Sequence, residues 1–239
     1  MIDDKIQNNR LELMGRLTAS LMHEIRNSLS ALNLNLEFLQ FYKDDLPKEV
    51  NETIDSSIQA TDRISKFTEN LLHFSKKSEM KFELVSLNQI TAEAIDLLKI
   101  KARKKNVTIF CDLDESIPNI FVNHNHIFQV CMNLIINAVD ACSEKGEVKV
   151  RSYKEKTADS NLVVWEVRDN GKGIPEENKE KIFSEFFTNK KNGTGLGLSV
   201  CKKLLNNHKA ELSFESEAGM GTVFFVKFNP KLMETLNDG

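Results

Sequence analysis

The stretch that decides the fold of the second half reads Asp169-Asn170-Gly171-Lys172-Gly173-Ile174-Pro175. It directly follows an apolar run with strand character, Leu162 to Val167. Two glycines one residue apart let a backbone approach a flat ligand closely, and the carboxylate of Asp169 can accept a hydrogen bond from an exocyclic amine. By itself this spacing is a weak signal, since a loop without a ligand can have the same composition.

A second glycine-rich stretch, Gly193-Thr194-Gly195-Leu196-Gly197-Leu198, precedes an apolar helical pattern. Glycines that lead into a helix N-terminus present free backbone N–H groups, which suit phosphate oxygens. Upstream, Asn133 and Asn137 stand four residues apart on another helical pattern and therefore share a face. They could face a hydrated Mg²⁺ held by triphosphate oxygens, or they could cap neighbouring backbone groups.

The remaining pattern of the second half predicts an α+β domain with helices on one face of a mixed sheet. Short apolar runs predict strands at Val107 to Cys111, Glu147 to Tyr153, Leu162 to Val167, Glu211 to Glu215 and Thr222 to Phe228. Helical patterns lie at Leu87 to Arg103, His126 to Ser143 and Leu196 to Asn207.

The first half has a different pattern, with Gly15 and Pro47 as its only glycine and proline before residue 79. Apolar residues recur at helical spacing in two stripes, Leu17, Leu21, Ile25, Leu29 and Leu32, then Val50, Ile54, Ile58, Ile64, Phe67 and Leu71. Two long helices joined near Pro47 form an antiparallel hairpin that cannot cover its apolar seams alone. We therefore predict a homodimer with a four-helix bundle at residues 1–78, a hinge at 76–80, and a second domain at 79–239.

Composition narrows the function classes. The 239 residues carry 32 Lys plus Arg against 35 Asp plus Glu, so no nucleic-acid partner is predicted, and the cluster Lys101 to Lys105 is interpreted as solvated surface. The four cysteines have no CxxC spacing, which favours reduced thiols over disulfides or zinc. No apolar run approaches the roughly 20 residues that span a bilayer, and the start is unlike a signal peptide. We expect a soluble, cytoplasmic segment without membrane contact.

His23 lies midway along the first stripe, beside its apolar line, and Glu24 follows it. A lone helical histidine is usually a surface residue. A neighbouring carboxylate can take the ring proton and make the imidazole a better nucleophile, which matters only if the same protein holds a phosphoryl donor.

Together these segments resemble the motifs of two-component histidine kinases, in family order and over nearly the whole chain. His23 to Asn27 resembles the H-box, Asn133 to Ala138 the N-box, and Asp169 to Gly173 the first glycine box. The F-box, the second glycine box and the last glycine element have counterparts at Ile182 to Thr188, Gly193 to Leu198 and Gly219 to Thr222. The residues of these motifs are most similar to those of the nitrogen-regulation type of histidine kinase. The resemblance implies a phosphotransfer hairpin followed by a Bergerat-type (GHKL) two-layer ATP-binding sandwich.

The resemblance also implies roles. His23 would accept the ATP γ-phosphoryl group with Glu24 as general base, and then pass it to an aspartate of a response-regulator receiver domain. Asn27 would orient a water that dephosphorylates the regulator. Asn137 would coordinate Mg²⁺, Asn133 would contact phosphate or polarise the attack, and Asp169 would bind the adenine amine. The other implied ATP contacts are Gly171 and Gly173, which make room for the base, and Lys190, Thr194, Gly195, Leu196 and Gly197.

The same resemblance makes residues 174–195 a mobile ATP lid, packed by Phe183, Phe186 and Phe187. Two positions depart from the family: Ser28 replaces a frequent proline, and Asp140 replaces a frequent basic residue, which removes one cation near the phosphates. His73 and His208 are interpreted as cationic rings at helix C-termini, and His124 and His126 as structural residues. A sensor domain is not visible, so the segment could also be the cytoplasmic part of a longer, membrane-anchored sensor.

Two other classes of protein share part of this pattern. Bergerat-fold ATPases and serine kinases, such as mismatch-repair, chaperone and anti-sigma proteins, lack a histidine-bearing hairpin just upstream. A phosphatase-biased or pseudokinase scaffold that binds a regulator is the alternative within the family, and nucleotide binding without phosphate on His23 would favour it.

Overall fold

The structure is a computed structural model that describes residues 25, 27–75, 81–157, 161–190 and 195–230. The chain divides into two compact units. One contains Met1–Glu79 together with the segment Thr188–Thr194, and the other contains Met80–Phe187 and Gly195–Gly239. The predicted hinge at 76–80 lies outside the described residues.

The first unit contains a helical hairpin. Its first helix, α1, is described at residues 25 and 27–40, and a 3-10 turn at Lys43–Asp45 precedes α2 at Lys48–Ser75. Pro47 sits just before α2, where its carbonyl accepts hydrogen bonds from the amides of Val50 and Asn51. Gln40 Nε2 donates to Asp55 Oδ1 at 3.2 Å, and Thr61 contacts Asn33 further along. Because the earlier residue of α1 contacts the later residue of α2, the two helices of the hairpin are antiparallel, as predicted.

The apolar residues of the hairpin divide between covered and exposed positions. Leu29, Leu36 and Ile54 are buried, whereas Leu32, which the sequence places in the buried stripe, is 46% exposed. Leu32 is not covered within the single chain, and its burial in the predicted four-helix bundle stays a prediction. A second apolar line on α1 is also exposed and comprises Leu34, Phe38 and Phe41. Leu17 and Leu21, and the side chains of Phe67 and Leu71, lie outside the described part.

The second unit is built on a five-stranded mixed sheet with the order β2-β4-β5-β7-β6. Strand β2 pairs with β4 in parallel, and every other neighbouring pair in this sheet is antiparallel. The strands are β2 at Thr108–Leu113, β4 at Glu147–Lys156, β5 at Asn161–Asp169, β6 at Glu211–Glu217 and β7 at Gly221–Phe228. The sequence predicted all five, with bounds that differ by three residues or fewer.

A smaller sheet was not predicted. It pairs β1 at Glu83–Val85 antiparallel with β3 at Ile120–Val122. The helices are α3 at Leu87–Lys104, α4 at His124–Ala141, the single turn α5 at Glu176–Lys179, and α6 at Gly197–Asn207. Ser86 caps α3 through the amide of Gln89, and Asn123 caps α4 through the amide of His126.

The three long helices α3, α4 and α6 cover one face of the large sheet, as the sequence predicted. Along β4 the buried residues alternate with exposed ones, so that Val148 and Val150 point to the helices while Lys149 points to the open face. Trp165 on β5 lies in the core, where its Nε1 donates to Thr91 Oγ1 on α3 at 2.9 Å. Thr91 donates in turn to the Leu87 carbonyl at 2.7 Å, so the polar atoms of both side chains are paired.

His208 corrects one prediction. The sequence suggests a cationic ring beyond the end of α6, but the side chain is fully buried. Its Nε2 accepts a hydrogen bond from the Asn123 amide at 3.0 Å, and its Nδ1 donates to the Leu204 carbonyl at 2.7 Å. Because the Asn123 amide can only donate, Nε2 carries no proton. Burial lowers the pKa of His208, and the ring is neutral.

Candidate functional site

The end of β5 places a buried carboxylate beside the first glycine-rich loop. Asp169 is 5% exposed, and its Oδ1 accepts a hydrogen bond from the amide of Gly171 at 2.8 Å. Burial raises the pKa of this carboxyl, while the backbone amides of Gly171 and Thr222 lower it. Thr222 is also the cross-strand partner of Asp169 on β7. A buried carboxylate with spare acceptor capacity suits a ligand amine.

Gly171 and Gly173 are required by the protein's own backbone. A Cβ on Gly171 would lie 2.5 Å from the carbonyl of Ala141 at the end of α4. Gly173 has a φ of +65°, and a Cβ there would lie 1.9 Å from the carbonyl oxygen of Glu217. The chain itself fills the space where a side chain at either position would lie. Their contact with a nucleotide stays a prediction.

Helix α4 carries the two asparagines on the predicted shared face. Both are half-buried. Asn133 Nδ2 donates to the carbonyl of Gly197 at 3.4 Å, a long hydrogen bond, and so joins α4 to the start of α6. Asn133 also forms a hydrogen bond with the thiol of Cys201. Burial raises the pKa of this thiol to about 12, although the hydrogen bond with Asn133 acts to lower it. Capping of neighbouring backbone, the structural alternative, thus applies to Asn133.

The start of α6 follows the second glycine-rich stretch directly. Leu196 occupies the N-cap position without a side-chain hydrogen bond to the first turn, and phosphate binding by the backbone amides there stays a prediction. Gly195 needs glycine, since its φ is +69° and a Cβ would lie 2.3 Å from the carbonyl carbon of Phe186. Gly197 does not, because the atom nearest to its Cβ would be Asn133 Cγ at 3.9 Å. A Cβ at Gly197 would thus make an ordinary van der Waals contact with Asn133.

The basic residues at the end of α3 meet the end of α4. Lys101 Nζ lies 2.8 Å from Asp140 Oδ1, and Lys105 Nζ lies 3.9 Å from the same oxygen. Lys105 Nζ also donates to the carbonyls of Val139 and Asp140 at 3.3 and 3.1 Å. The side chains of Lys101 and Lys105 are 40% and 39% exposed, so this cluster is solvated surface as predicted, although both lysines also contact α4. Asp140, where the sequence departs from the family pattern, thus forms ion pairs that join the end of α3 to the end of α4.

The predicted lid segment is described up to Lys190. Phe183 packs as predicted, since its ring lies 5.7 Å from that of Phe214 on β6, and Lys202 Nζ lies 5.3 Å from its centroid. Phe186 does not, because it is 59% exposed at a φ of +65°. The amide of Lys190 donates to Thr188 Oγ1 at 3.1 Å. Thr188 and Lys190 belong to the segment grouped with the first unit, and Thr194 lies outside the described residues.

In the first unit, Asn27 is exposed on α1 and Ser28 continues the helix. His23 and Glu24 lie outside the described residues. His124 pairs with Glu93 at 3.4 Å, in keeping with its structural interpretation.

Asn170 was missed by the sequence analysis. Its Oδ1 accepts from the amide of Glu147 at 2.8 Å, and its own amide donates to the Glu147 carbonyl at 3.2 Å. These bonds fasten the loop after β5 to the start of β4. An asparagine directly after a strand-terminal aspartate is the signal that could have revealed it.

Asn133, Asn137, Asp169, Gly171, Gly173 and residues 195–197 all belong to the second unit. Within the described residues, no group of three His, Cys, Asp or Glu side chains is arranged to hold a metal ion. The half-buried amide of Asn137 supplies a neutral oxygen, which fits a cation that arrives with a phosphate chain. None of the helices in the described ranges combines the length and apolar character that crossing a bilayer requires.

Family models match both units. The HisKA model, described as the His Kinase A phospho-acceptor domain, matches residues 13–79. The HATPase_c model, described as the histidine kinase-, DNA gyrase B- and HSP90-like ATPase, matches residues 122–232. The chain is 31% identical to the signal transduction histidine-protein kinase AtoS of Escherichia coli over 96% of its own length. It spans between 29% and 48% of the length of three curated relatives, AtoS among them.

Solved structures agree with these matches. The catalytic domain of histidine kinase ThkA is 36% identical with a TM-score of 0.56, covering 63% of this chain and 97% of that one. ThkA in complex with the response regulator protein TrrA is 30% identical with a TM-score of 0.65, covering 95% and 65% respectively. Because both domain models match in order and the ThkA catalytic domain is 36% identical over 97% of its own chain, this chain belongs to the histidine kinase family.

Proposed function

We propose that this protein is an ATP-dependent, autophosphorylating histidine kinase whose phosphoacceptor is His23. The observation that supports this most directly is the combination of two features in one chain. Asp169, the asparagine pair of α4 and the open N-terminus of α6 occupy a single unit, and His23 lies inside the region matched by the phospho-acceptor family. A nucleotide site alone would fit many ATPases, whereas the acceptor region specifies transfer to histidine.

The transfer needs few chemical groups. A ring nitrogen of His23 attacks the γ-phosphorus of ATP, a nitrogen–phosphorus bond forms, and the bond from that phosphorus to the β,γ-bridging oxygen breaks. ADP leaves with the bonding electrons, and Glu24 takes the proton of the imidazole. Phosphoryl transfer depends mainly on positioning and charge stabilisation. Mg²⁺, when bound, would neutralise charge on the transferring phosphate, and Asn137 would contribute an oxygen to hold it.

The second unit would bind the nucleotide at both ends. The buried carboxylate of Asp169 would accept a hydrogen bond from the adenine amine, with Gly171 and Gly173 fixing the loop around it. The backbone amides at the start of α6, from Gly195 to Gly197, would donate to phosphate oxygens. Lys190 and Thr194 of the lid would add a cation and a hydroxyl. Asn133, already bonded to Gly197, would hold the helix start in place as well as face the phosphates.

We further propose that the phosphoryl group passes from phospho-His23 to an aspartate of a response-regulator receiver domain. The related ThkA structure contains a response regulator, which supports a partner of this class. The exposed amide of Asn27, one helical turn from His23, would orient a water for regulator dephosphorylation. The chain would act as a homodimer in the cytoplasm, alone or as part of a longer sensor.

The first experiment is incubation with γ-labelled ATP and Mg²⁺. We expect acid-labile, alkali-stable label on the wild type and none on His23→Ala or Asn137→Ala, while His124→Ala stays labelled as a control for histidine loss. Label that survives in His23→Ala would place the acceptor elsewhere. Nucleotide binding without any label on the wild type would instead support the alternative, a phosphatase-biased or pseudokinase scaffold.

The phosphatase role has a separate test. Asn27→Ala is expected to slow dephosphorylation of a phosphorylated regulator, whereas Asn35→Ala, an exposed asparagine on the same helix, should keep the wild-type rate. Equal rates in the wild type and Asn27→Ala would remove Asn27 from this role without affecting the kinase proposal.

A further inference from the structure

The end of α4 is held from outside the nucleotide site by a lysine of the neighbouring helix end. Lys105 follows α3 directly as its C-cap residue. Its ammonium donates to the carbonyls of Val139 and Asp140, two of the last groups of α4 that have no partner inside the helix. A cation at a helix C-terminus is also favoured by the helix dipole. Lys105 therefore fixes the last turn of α4 by charge and by hydrogen bonds.

The anchored turn contacts the loop that follows Asp169. The carbonyl of Ala141, the next residue of α4, accepts a hydrogen bond from the amide of Lys172 at 3.2 Å. The same carbonyl lies against Gly171, where a Cβ could not fit. Gly171 in turn donates its amide to Asp169 Oδ1 at 2.8 Å. Each step in this series is a direct contact.

Cys142 gives independent support for the proximity of Lys105 and Asp169. Burial raises the pKa of its thiol, the charge of Asp169 raises it further, and the charge of Lys105 lowers it. Both charged groups thus act on one sulfur. Its Sγ lies 3.6 Å from Asn170 Oδ1, inside the loop that carries Asp169.

We propose that Lys105 is a positioning residue for adenine recognition, acting through the end of α4 and the Gly171 loop on the carboxylate of Asp169. The inference rests on the proposed function, because it assumes that Asp169 binds the adenine amine. Asp140 supports the arrangement by holding Lys101 and Lys105 beside the same helix end. Lys105 itself touches neither substrate nor metal in this scheme.

The test compares Lys105→Met, Lys105→Arg and the neighbouring exposed control Lys104→Met. Binding of ATP and of GTP is measured by calorimetry in Mg²⁺, with urea unfolding of each variant. GTP carries a carbonyl where ATP carries the amine, so a displaced Asp169 lowers the preference for ATP. We expect Lys105→Met to bind ATP about three- to tenfold more weakly than the wild type. The ratio of its affinity for ATP to its affinity for GTP should fall by a similar factor. Lys104→Met should match the wild type, and Lys105→Arg should restore most of the loss.

Three outcomes separate the inference from the function on which it rests. If the wild type binds no ATP, the proposed function itself fails. If the wild type binds ATP and Lys105→Met keeps the same affinity and ratio, the positioning role is wrong. If Lys105→Met weakens ATP and GTP equally while losing stability, Lys105 is only structural.

A second measurement keeps the proposal testable if binding is difficult to quantify. The amides of Gly171 and Lys172 should exchange with solvent faster in Lys105→Met than in Lys104→Met, because the Ala141 carbonyl is no longer fixed. Equal exchange rates in the two variants would overturn the proposed path.

Discussion

The carboxylate of Asp169 is a charged group in a place that disfavours charge. Burial raises its pKa, and the amides of Gly171 and Thr222 offset part of that effect. A site of this kind is costly for the fold unless a ligand uses it, since an ionised carboxylate without enough donors is expensive to bury.

Replacing that carboxylate should therefore affect ligand binding more than folding. We expect Asp169→Asn to weaken ATP binding about tenfold to a hundredfold, because an amide can present a donor to the adenine amine and removes a charge-assisted hydrogen bond. Calorimetric titration measures the loss, and Asp114→Asn, a carboxyl in a loop after β2, serves as the control. An unchanged affinity in Asp169→Asn would exclude it from adenine binding.

His208 makes stability depend on pH in one direction. Its pKa is lowered by burial, so below about pH 6.5 the unfolded chain takes up a proton that the folded protein resists. Stability is then complete at neutral pH and falls as the pH drops, by up to about 1.4 kcal/mol per unit. The effect ends below the lowered folded pKa. Urea unfolding at pH 7.5 and 5.5 should show a larger loss for the wild type than for His208→Gln.

The comparison of the wild type with His208→Gln is needed because the chain has other histidines, including His126, whose ring lies 5.4 Å from that of His208. If wild type and His208→Gln lost equal stability between the two pH values, the buried ring would not be the source.

Single residues differ in how far the sequence could predict them. Asp169 and the asparagine pair were identifiable because strand and helix periodicity fixes their positions to within a residue. Lys105 was not, because its role depends on two helix ends that are adjacent in space but 34 residues apart in sequence. The neutral state of His208 likewise depends on burial by β3 and α4, which no local pattern encodes.

At the scale of elements, the glycines of the two loops serve different purposes. Gly171 is packed against the last turn of α4, whereas Gly197 begins α6 at a position where a Cβ fits without a clash. In the sequence both glycines lie in glycine-rich segments that look alike. Only the positions of the neighbouring backbone segments in the fold distinguish them.

Alanine substitutions should separate these purposes. Gly171→Ala is expected to lower the free energy of unfolding by about 1–3 kcal/mol, because its Cβ overlaps the Ala141 carbonyl. Gly197→Ala should leave stability unchanged or raise it by about 0.5 kcal/mol, while weakening ATP binding about tenfold, since the added methyl group would lie beside the amides proposed to bind phosphate. Urea unfolding and calorimetry on both variants check this. Unchanged ATP binding in Gly197→Ala would remove the start of α6 from the site.

The long elements could be predicted from periodicity, and the short ones could not. Helices α3, α4 and α6 and the five strands of the large sheet each contain enough residues to show a repeat. Strands β1 and β3 have three residues each, which is too few for alternation to be visible. Their pairing comes from tertiary contact rather than local pattern.

At the scale of the whole molecule, the hairpin has an apolar line that its own helices leave uncovered. Leu34, Phe38 and Phe41 are 67%, 59% and 87% exposed and lie on one side of α1. Exposed apolar stripes of this kind mark interaction sites, and a second copy of the hairpin would bury them in the proposed bundle.

A charge on this line should disrupt the assembly. We expect the wild type to sediment as a dimer and Phe38→Glu to shift toward monomer, because a carboxylate cannot be buried between helices without a partner. Phe38→Leu, which keeps the apolar contact, should remain a dimer. A monomeric wild type, or a Phe38→Glu variant that dimerises as tightly as the wild type, would contradict the predicted bundle.

The pairing of β5 with β7 has a consequence for how freely the segment between them can vary in length. Asp169 on β5 is opposite Thr222 on β7, so everything from the first glycine loop through α6 and β6 forms a single excursion closed by this ladder. The entropy cost of closing a flexible loop grows only with the logarithm of its length, about 0.6 kcal/mol per doubling. Insertions into the lid should therefore be inexpensive for folding, because the β5–β7 ladder still closes the excursion at its base.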